Sequence, residues 1–324
     1  MIIVGIALEI LAAGVGTTSK QLIAYSSHVG KPWIFHIGAT MNVALGPIID
    51  ASAYAFAPQV VVAPFASLDV IFNALTAPYT LRWQEEELTR VHILACVLVA
   101  AGAAFTSVLG SVHDETLTVE EVEAQLTKVP SFLYLAIEAG VIIALILCHK
   151  QRRFSSRMQG VVLGVVAGIL VGNVFCIKCF INIVRSSIVM DDYHAFLRPT
   201  PYLLISAAAA TSLGGHVFMK RGLGRYKGVF MITIFEGAHI TTACLSGDIV
   251  MAEMRDAGWW RYVLYWASVW LIIGGVLIIN TLAEKSQLRR PMASDPSLPL
   301  DGFSGPALDE PCGLERGDSE TPEP

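Results

Sequence analysis

Residues 41–73 read MNVALGPIIDASAYAFAPQVVVAPFASLDVIFN. Two apolar runs meet here at Phe56-Ala57-Pro58, and each holds one carboxylate near its middle, Asp50 in the first and Asp69 in the second. A carboxylate inside a run of hydrocarbon length is costly. It needs a partner, a proton, a water-filled cavity or a bound cation. The rest of the chain reads as the scaffold that makes two such acids tolerable.

Composition points the same way. Of 324 residues, 54% are hydrophobic and only 15% charged, and mean hydropathy is +0.59. A soluble domain carries about 25% charged residues. The sequence therefore predicts an all-α, polytopic membrane protein. Nine runs are long enough to span a bilayer: about 2–24, 35–57, 58–81, 90–110, 131–149, 160–188, 201–220, 228–247 and 259–280. The first starts at Ile2 without a basic leader and reads as a spanning helix, not a cleaved signal.

With the N-terminus outside, fourteen Lys and Arg residues fall on inner segments and four, Lys128, Arg198, Arg255 and Arg261, on outer ones. This bias favours nine helices with the C-terminus in the cytoplasm. The outer segments carry ten acids, either a cation-attracting rim or a solvated loop surface. Residues 286–324 hold seven of the fifteen prolines and read as a disordered cytoplasmic tail after a transporter domain of 1–285. Gly160, Gly164, Gly168 and Gly172 form a ridge at helical spacing. Such a ridge favours close packing inside the bundle, with a homodimer interface as the alternative. Cys176 and Cys179 form a C-x-x-C inside an apolar run, where packing is the expected role.

A weak internal repeat runs from about 1–110 to about 160–282, with 131–149 as a linking helix. Val62–Glu86 lies on Val229–Glu253 at a constant offset, which sets Asp69 on Glu236. The copies start an odd number of helices apart, so they cross in opposite senses. Inverted repeats with a midplane site are the architecture of secondary transporters.

The run Ala53-Tyr-Ala-Phe-Ala-Pro58, then Val60-Val-Val-Ala-Pro64, then Glu85-Glu86, resembles the NIPA-like magnesium transporters of the drug/metabolite transporter superfamily. Met41, Gly46 and the segment around Lys178 fit the same pattern. The resemblance implies a helical transporter and transport of divalent cations, chiefly Mg2+. Members usually carry Glu-x-x-Asn where this chain has Pro47 and Asp50, a serine at Asp69, and an uncharged residue at Glu236.

Helical rise puts Asp69 and Glu236 near the bilayer centre. With Asp50 they form the expected metal ligands, and Asn42 and Asn73 could add neutral oxygens, a donor set that suits Mg2+. The competing reading is a structural acid pair, or salt bridges to intramembrane lysines. Lys20, Lys178 and His239 are the candidate charge partners. Glu9 could serve a vestibule, Glu138 has no repeat counterpart, and His216 reads as a satisfied histidine. The expected partners are a divalent cation and membrane lipids, with no resident cofactor beyond Mg2+ as transported ion. No H-E-x-x-H, P-loop or G-x-S-x-G is present, so an enzyme is not expected. No basic aromatic face suggests nucleic acid. The alternative transport reading is a drug/metabolite-type carrier of an organic solute such as a nucleotide sugar.

Overall fold

The computed structural model describes residues 1–80, 90–110, 116–150, 155–191, 193–223, 225–226 and 228–288. Among these residues every regular element is helical. The proline-rich tail from 289 onward, and Glu85-Glu86, lie outside the described residues.

In chain order, α1 is Ile2–Val29, α2 covers 32–53 and α3 is Gln59–Thr80. Then come α4 (Arg90–Leu109), the short α5 (Val119–Thr127) and α6 (Val129–Lys150). The remainder is α7 (Ser156–Val171), α8 (Phe175–Met190), α9 (Thr200–Leu223), α10 (Gly228–Ile249) and α11 (Trp259–Leu288).

Seven segments among the described residues are long and apolar enough to cross a membrane. They match seven of the nine expected runs. One of them, Met158–Met190, joins α7 and α8 across a break. The other two runs also form helices, α2 and the 22-residue α10, but neither is among the seven. Both carry polar or charged side chains: His36, Asn42 and Asp50 in α2, Glu236 and His239 in α10.

Three interruptions have local causes. Pro47 has no N–H to give to the carbonyl four residues back, and its ring crowds that carbonyl. The turn before it widens to a π-turn over Met41–Leu45, and the Gly46 N–H reaches back to the Met41 carbonyl. Pro58 likewise ends the helical path: α2 stops at Ala53 and α3 begins at Gln59. The third break lies between α7 and α8. The Asn173 side chain donates to the Ile169 carbonyl (3.1 Å), one of the groups that a continuing helix would use.

Tyr54, Ala57 and Pro58 of the link at 54–58 are buried, so their backbone groups need protein partners. Lys178 of α8 donates to the carbonyls of Tyr54 (2.7 Å) and Ala57 (2.8 Å). Arg185 donates to the Ala55 carbonyl at 3.1 Å. Tyr265 of α11 donates to the Val60 carbonyl at 2.9 Å.

The main core joins Val60, Val61 and Phe65 to Ala95, Val99, Ile240, Tyr265 and Ile272, and so ties α3 and α4 to α10 and α11. A second cluster packs Val119 and Val122 of α5 on Phe175, Cys176, Cys179 and Ile183 of α8. Cys176 and Cys179 are free thiols in that core, the packing role expected of them. The glycine ridge faces α10. A Cβ at Gly168 would lie 2.5 Å from the Phe235 carbonyl oxygen, and one at Gly172 would lie 2.7 Å from Thr242 Cβ.

Candidate functional site

Helix α1 turns one polar stripe toward α3. Thr17, Lys20 and Gln21 share a helix face, three and four residues apart. Thr17 Oγ1 lies 2.7 Å from Asp69 Oδ1 and 3.1 Å from the Asp69 carbonyl. The Lys20 ammonium pairs with Asp69 Oδ2. Gln21 donates to Thr76 Oγ1 at 2.6 Å. Asp69 sits in the first turn after a 3-10 stretch, Ala63–Ser67, in which Pro64 interrupts the regular ladder. That turn aims its carboxylate back at α1.

Next to this ion pair lies a cavity of about 190 Å³ between α1, α2, the start of α3 and α10. Its walls bring together Glu9, Lys20, Asn42, Asp50, Asp69, Glu236 and His239. Four of the expected residues, Asp50, Asp69, Glu236 and Asn42, therefore border one space. Glu9 and Asp50 meet carboxyl to carboxyl. Glu9 is 3% exposed, and its Oε2 has no hydrogen-bond partner. Glu236 stands 3.7 Å from His239 Nδ1, and the His239 ring stacks on Phe235. Ser19 donates to Asn42 Oδ1 at 3.2 Å, which fixes the amide on the widened turn of α2.

The three expected metal ligands do not converge. Among the described residues no group of three His, Cys, Asp or Glu side chains is placed to hold a metal ion. Asp69 is turned to Lys20 and Thr17, Asp50 to Glu9, and Glu236 to His239. Asp69 is hydrogen-bonded, whereas Glu236 and His239 Nδ1 stand beyond hydrogen-bond length at 3.7 Å. Two further expectations are displaced outright. Asn73 lies off the cavity on an exposed face of α3, where its Oδ1 accepts from Gln21 at 3.4 Å. Lys178 is 1% exposed, lies away from this cavity and donates to the Tyr54 and Ala57 carbonyls. His216 is exposed, with Nδ1 2.8 Å from the Ser212 carbonyl.

Sequence reasoning underweighted Glu9, whose signal was a lone acid in the middle of the first apolar run. Thr17 gave no signal, since threonine is unremarkable in an apolar helix. Glu253 is one of the ten acids that the sequence places on the outer segments. Its two oxygens accept from the Gln59 (2.9 Å) and Val60 (2.8 Å) backbone amides at the start of α3.

Glu138 lies in a separate, larger cavity of about 570 Å³ with mostly apolar walls between α6, α8 and α9. It accepts a hydrogen bond from Asn173 Nδ2 at 2.7 Å.

An acid-lined cavity bounded by apolar helices is an arrangement that transported cations require. A profile of the magnesium transporter NIPA family matches residues 13–285. The chain belongs to that family. It is an integral, multi-pass membrane protein. Over 129 residues it is 36% identical to the probable magnesium transporter NIPA2 of Arabidopsis thaliana, covering 40% of this chain and 37% of that one. It is 24% identical to the human magnesium transporter NIPA4 over 65% of this chain and 50% of the relative. Against the probable magnesium transporter NIPA6 of Arabidopsis thaliana, identity is 19% over 76% and 74%. The match thus spans less than two fifths of the NIPA2 relative's length. No solved structure matches the chain.

Proposed function

We propose that this NIPA-family protein moves Mg2+, or a closely similar divalent cation, across a membrane through the cavity between α1, α2, α3 and α10. One observation carries the reading. Four carboxylates, Glu9, Asp50, Asp69 and Glu236, border a space that contains a single lysine and a single histidine. Such an excess of acid among apolar helices is stable only if protons, water or a cation offset it. Mg2+ takes hard oxygens, keeps several waters and uses one or two carboxylates. A cavity of about 190 Å³ leaves room for an ion with part of its hydration shell. Asp50, Asp69 and Glu236 are the proposed direct or water-mediated ligands, with Asn42 as a neutral oxygen.

At this cavity an organic solute is disfavoured by size and charge. Ligand pockets of that kind hold roughly 300–1,000 Å³. An anionic nucleotide sugar would also meet the four acids. No catalytic step is proposed.

The wider architecture follows from the same reading. Helices α2 and α10 complete nine crossings, with α7 and α8 together forming one. The N-terminus faces outward and the C-terminus the cytoplasm, the orientation that the distribution of basic residues favours. Asp69 and Glu236 come from matched positions of two inverted repeats, which would rock about the shared cavity.

The test is uptake by the purified full-length chain in liposomes. Mg2+ should enter, and Asp69→Asn and Glu236→Gln should each reduce entry by about tenfold or more, the effect of losing one charged ligand. Wild-type liposomes no more permeable to Mg2+ than empty ones would reject transport. Two variants with normal uptake would reject the site.

A further inference from the structure

Both carboxylate oxygens of Asp69 are engaged. Thr17 holds Oδ1 at 2.7 Å and the Lys20 ammonium holds Oδ2. An ion that takes Asp69 as a full ligand competes with a cation that the chain itself supplies. We propose that Lys20 is a tethered competitor that makes the cavity selective for divalent over monovalent cations, an inference that rests on the transport reading above.

The argument is one of exchange. A monovalent ion that displaces the ammonium replaces one unit charge by one unit charge. It gains no Coulomb energy at Asp69 and still loses part of its hydration shell. A divalent ion brings one charge more, and Glu9, Asp50 and Glu236 stand around the same space to receive it. Mg2+ gives up water reluctantly but keeps several waters when bound, so the threshold that Lys20 sets favours an ion of charge two over an ion of charge one.

Two features let the competitor leave and return. The Lys20 side chain is 49% exposed, against 16% for Asp69, so the protein leaves space beside the ammonium into which its four-carbon stem can swing. An ammonium is also a compact point charge with freely rotating donors. An arginine would grip the carboxylate through two parallel bonds and yield less readily. Once displaced, the ammonium stays within one side-chain length of the site. It can reclaim Asp69 as the ion departs, which favours release. Lys178 cannot share the task, because it is committed to the Tyr54 and Ala57 carbonyls.

The experiment compares wild type with Lys20→Met, as full-length chains in liposomes, and measures Mg2+ uptake against rising Na+ at constant ionic strength. In wild type, Na+ should leave Mg2+ uptake nearly unchanged. In Lys20→Met, the half-saturating Mg2+ concentration should fall by about tenfold, and Na+ should now compete. Lys20→Arg should keep Na+ excluded while slowing turnover. A Lys20→Met protein that transports Mg2+ and still excludes Na+ overturns the inference and leaves the transport reading standing. Wild-type liposomes that take up no Mg2+ overturn both. A second measurement uses the wild-type chain alone. Mg2+ should increase acylation of Lys20 by an amine-reactive reagent, read by peptide mass, and Na+ of equal ionic strength should not. Labelling that ignores Mg2+ overturns the displacement, whatever the fate of the variants.

Discussion

Both carboxylate oxygens of Glu253 accept hydrogen bonds from consecutive backbone amides, Gln59 at 2.9 Å and Val60 at 2.8 Å. The contact crosses nearly two hundred residues of sequence and closes the start of α3, where Pro58 leaves the first amides without intrahelical partners. A carboxylate there satisfies two orphan donors and meets the positive end of the helix. Glu253→Ala should destabilise the protein by about 1–2 kcal/mol. Glu253→Gln should cost less, since one acceptor survives. Thermal unfolding in detergent measures both. An Ala variant that melts with wild type would show that water or another group can replace the cap.

Lys178 makes a sharper contrast with Lys20. It sits almost fully buried and donates to two carbonyls of the 54–58 link. Lys178→Met would keep the apolar stem and strand both acceptors, at about 1–3 kcal/mol for each buried group left unsatisfied. The expected result is a lower melting temperature with an unchanged half-saturating Mg2+ concentration. Lys20→Met should do the reverse. Equal effects of the two on ion affinity would contradict the division of labour described above.

Gly168 offers a test of packing with its own control. A Cβ there would meet the Phe235 carbonyl oxygen at 2.5 Å and Ala238 Cβ at 2.6 Å, both on α10. No rotamer removes a clash at Cβ. Gly168→Leu should push α7 and α10 apart and displace Glu236, costing several kcal/mol or preventing folding. Gly140 of α6 has nothing within 4 Å of the same point. Gly140→Leu should be neutral or slightly stabilising, since glycine is a poor helix former. Size-exclusion profiles in detergent would separate the two.

Much of this is legible in the sequence, and the limits have physical causes. Hydrocarbon-length runs announce helices because a bilayer core tolerates little else. Pro58 marks the break between α2 and α3 for the same local reason in sequence and structure. The glycine ridge announces a close helix contact, though not which helix receives it. Asp50, Asp69 and Glu236 stand out because an acid among apolar residues is rare. Their detailed pairing was not readable. Whether Asp69 turns to Glu236 or to Lys20 depends on the crossing of α1 and α3, which periodicity does not fix. The same holds for Lys178 and Lys20, two lysines in apolar runs with opposite fates. One is buried under a proline-broken link and the other stands at a cavity edge. Two positions resisted even a general reading. The widened turn at Met41–Leu45 follows from Pro47 only once the helix is known to continue through it. The role of Glu253 depends on a partner at the far end of the chain.

The contact between Glu9 and Asp50 yields the last prediction. The two carboxyls meet inside the cavity, one from α1 and one from α2. Groups in contact act as a unit, and the loss of either changes what the other can do. Glu9→Gln and Asp50→Asn should each weaken Mg2+ uptake, because an amide cannot supply the negative charge that draws a divalent ion in. The double variant should be little worse than the weaker single, since the first change already dismantles the pair. Glu9 and Glu236 make the comparison. They border the same cavity from α1 and α10 but engage different partners, so the losses in Glu9→Gln with Glu236→Gln should combine more nearly additively. A coupling energy of about 0.5–3 kcal/mol for the first pair, and a smaller one for the second, is the expected pattern from half-saturating Mg2+ concentrations. Additive losses in both pairs would mean that Glu9 and Asp50 act on the ion independently, and that their contact is incidental to transport.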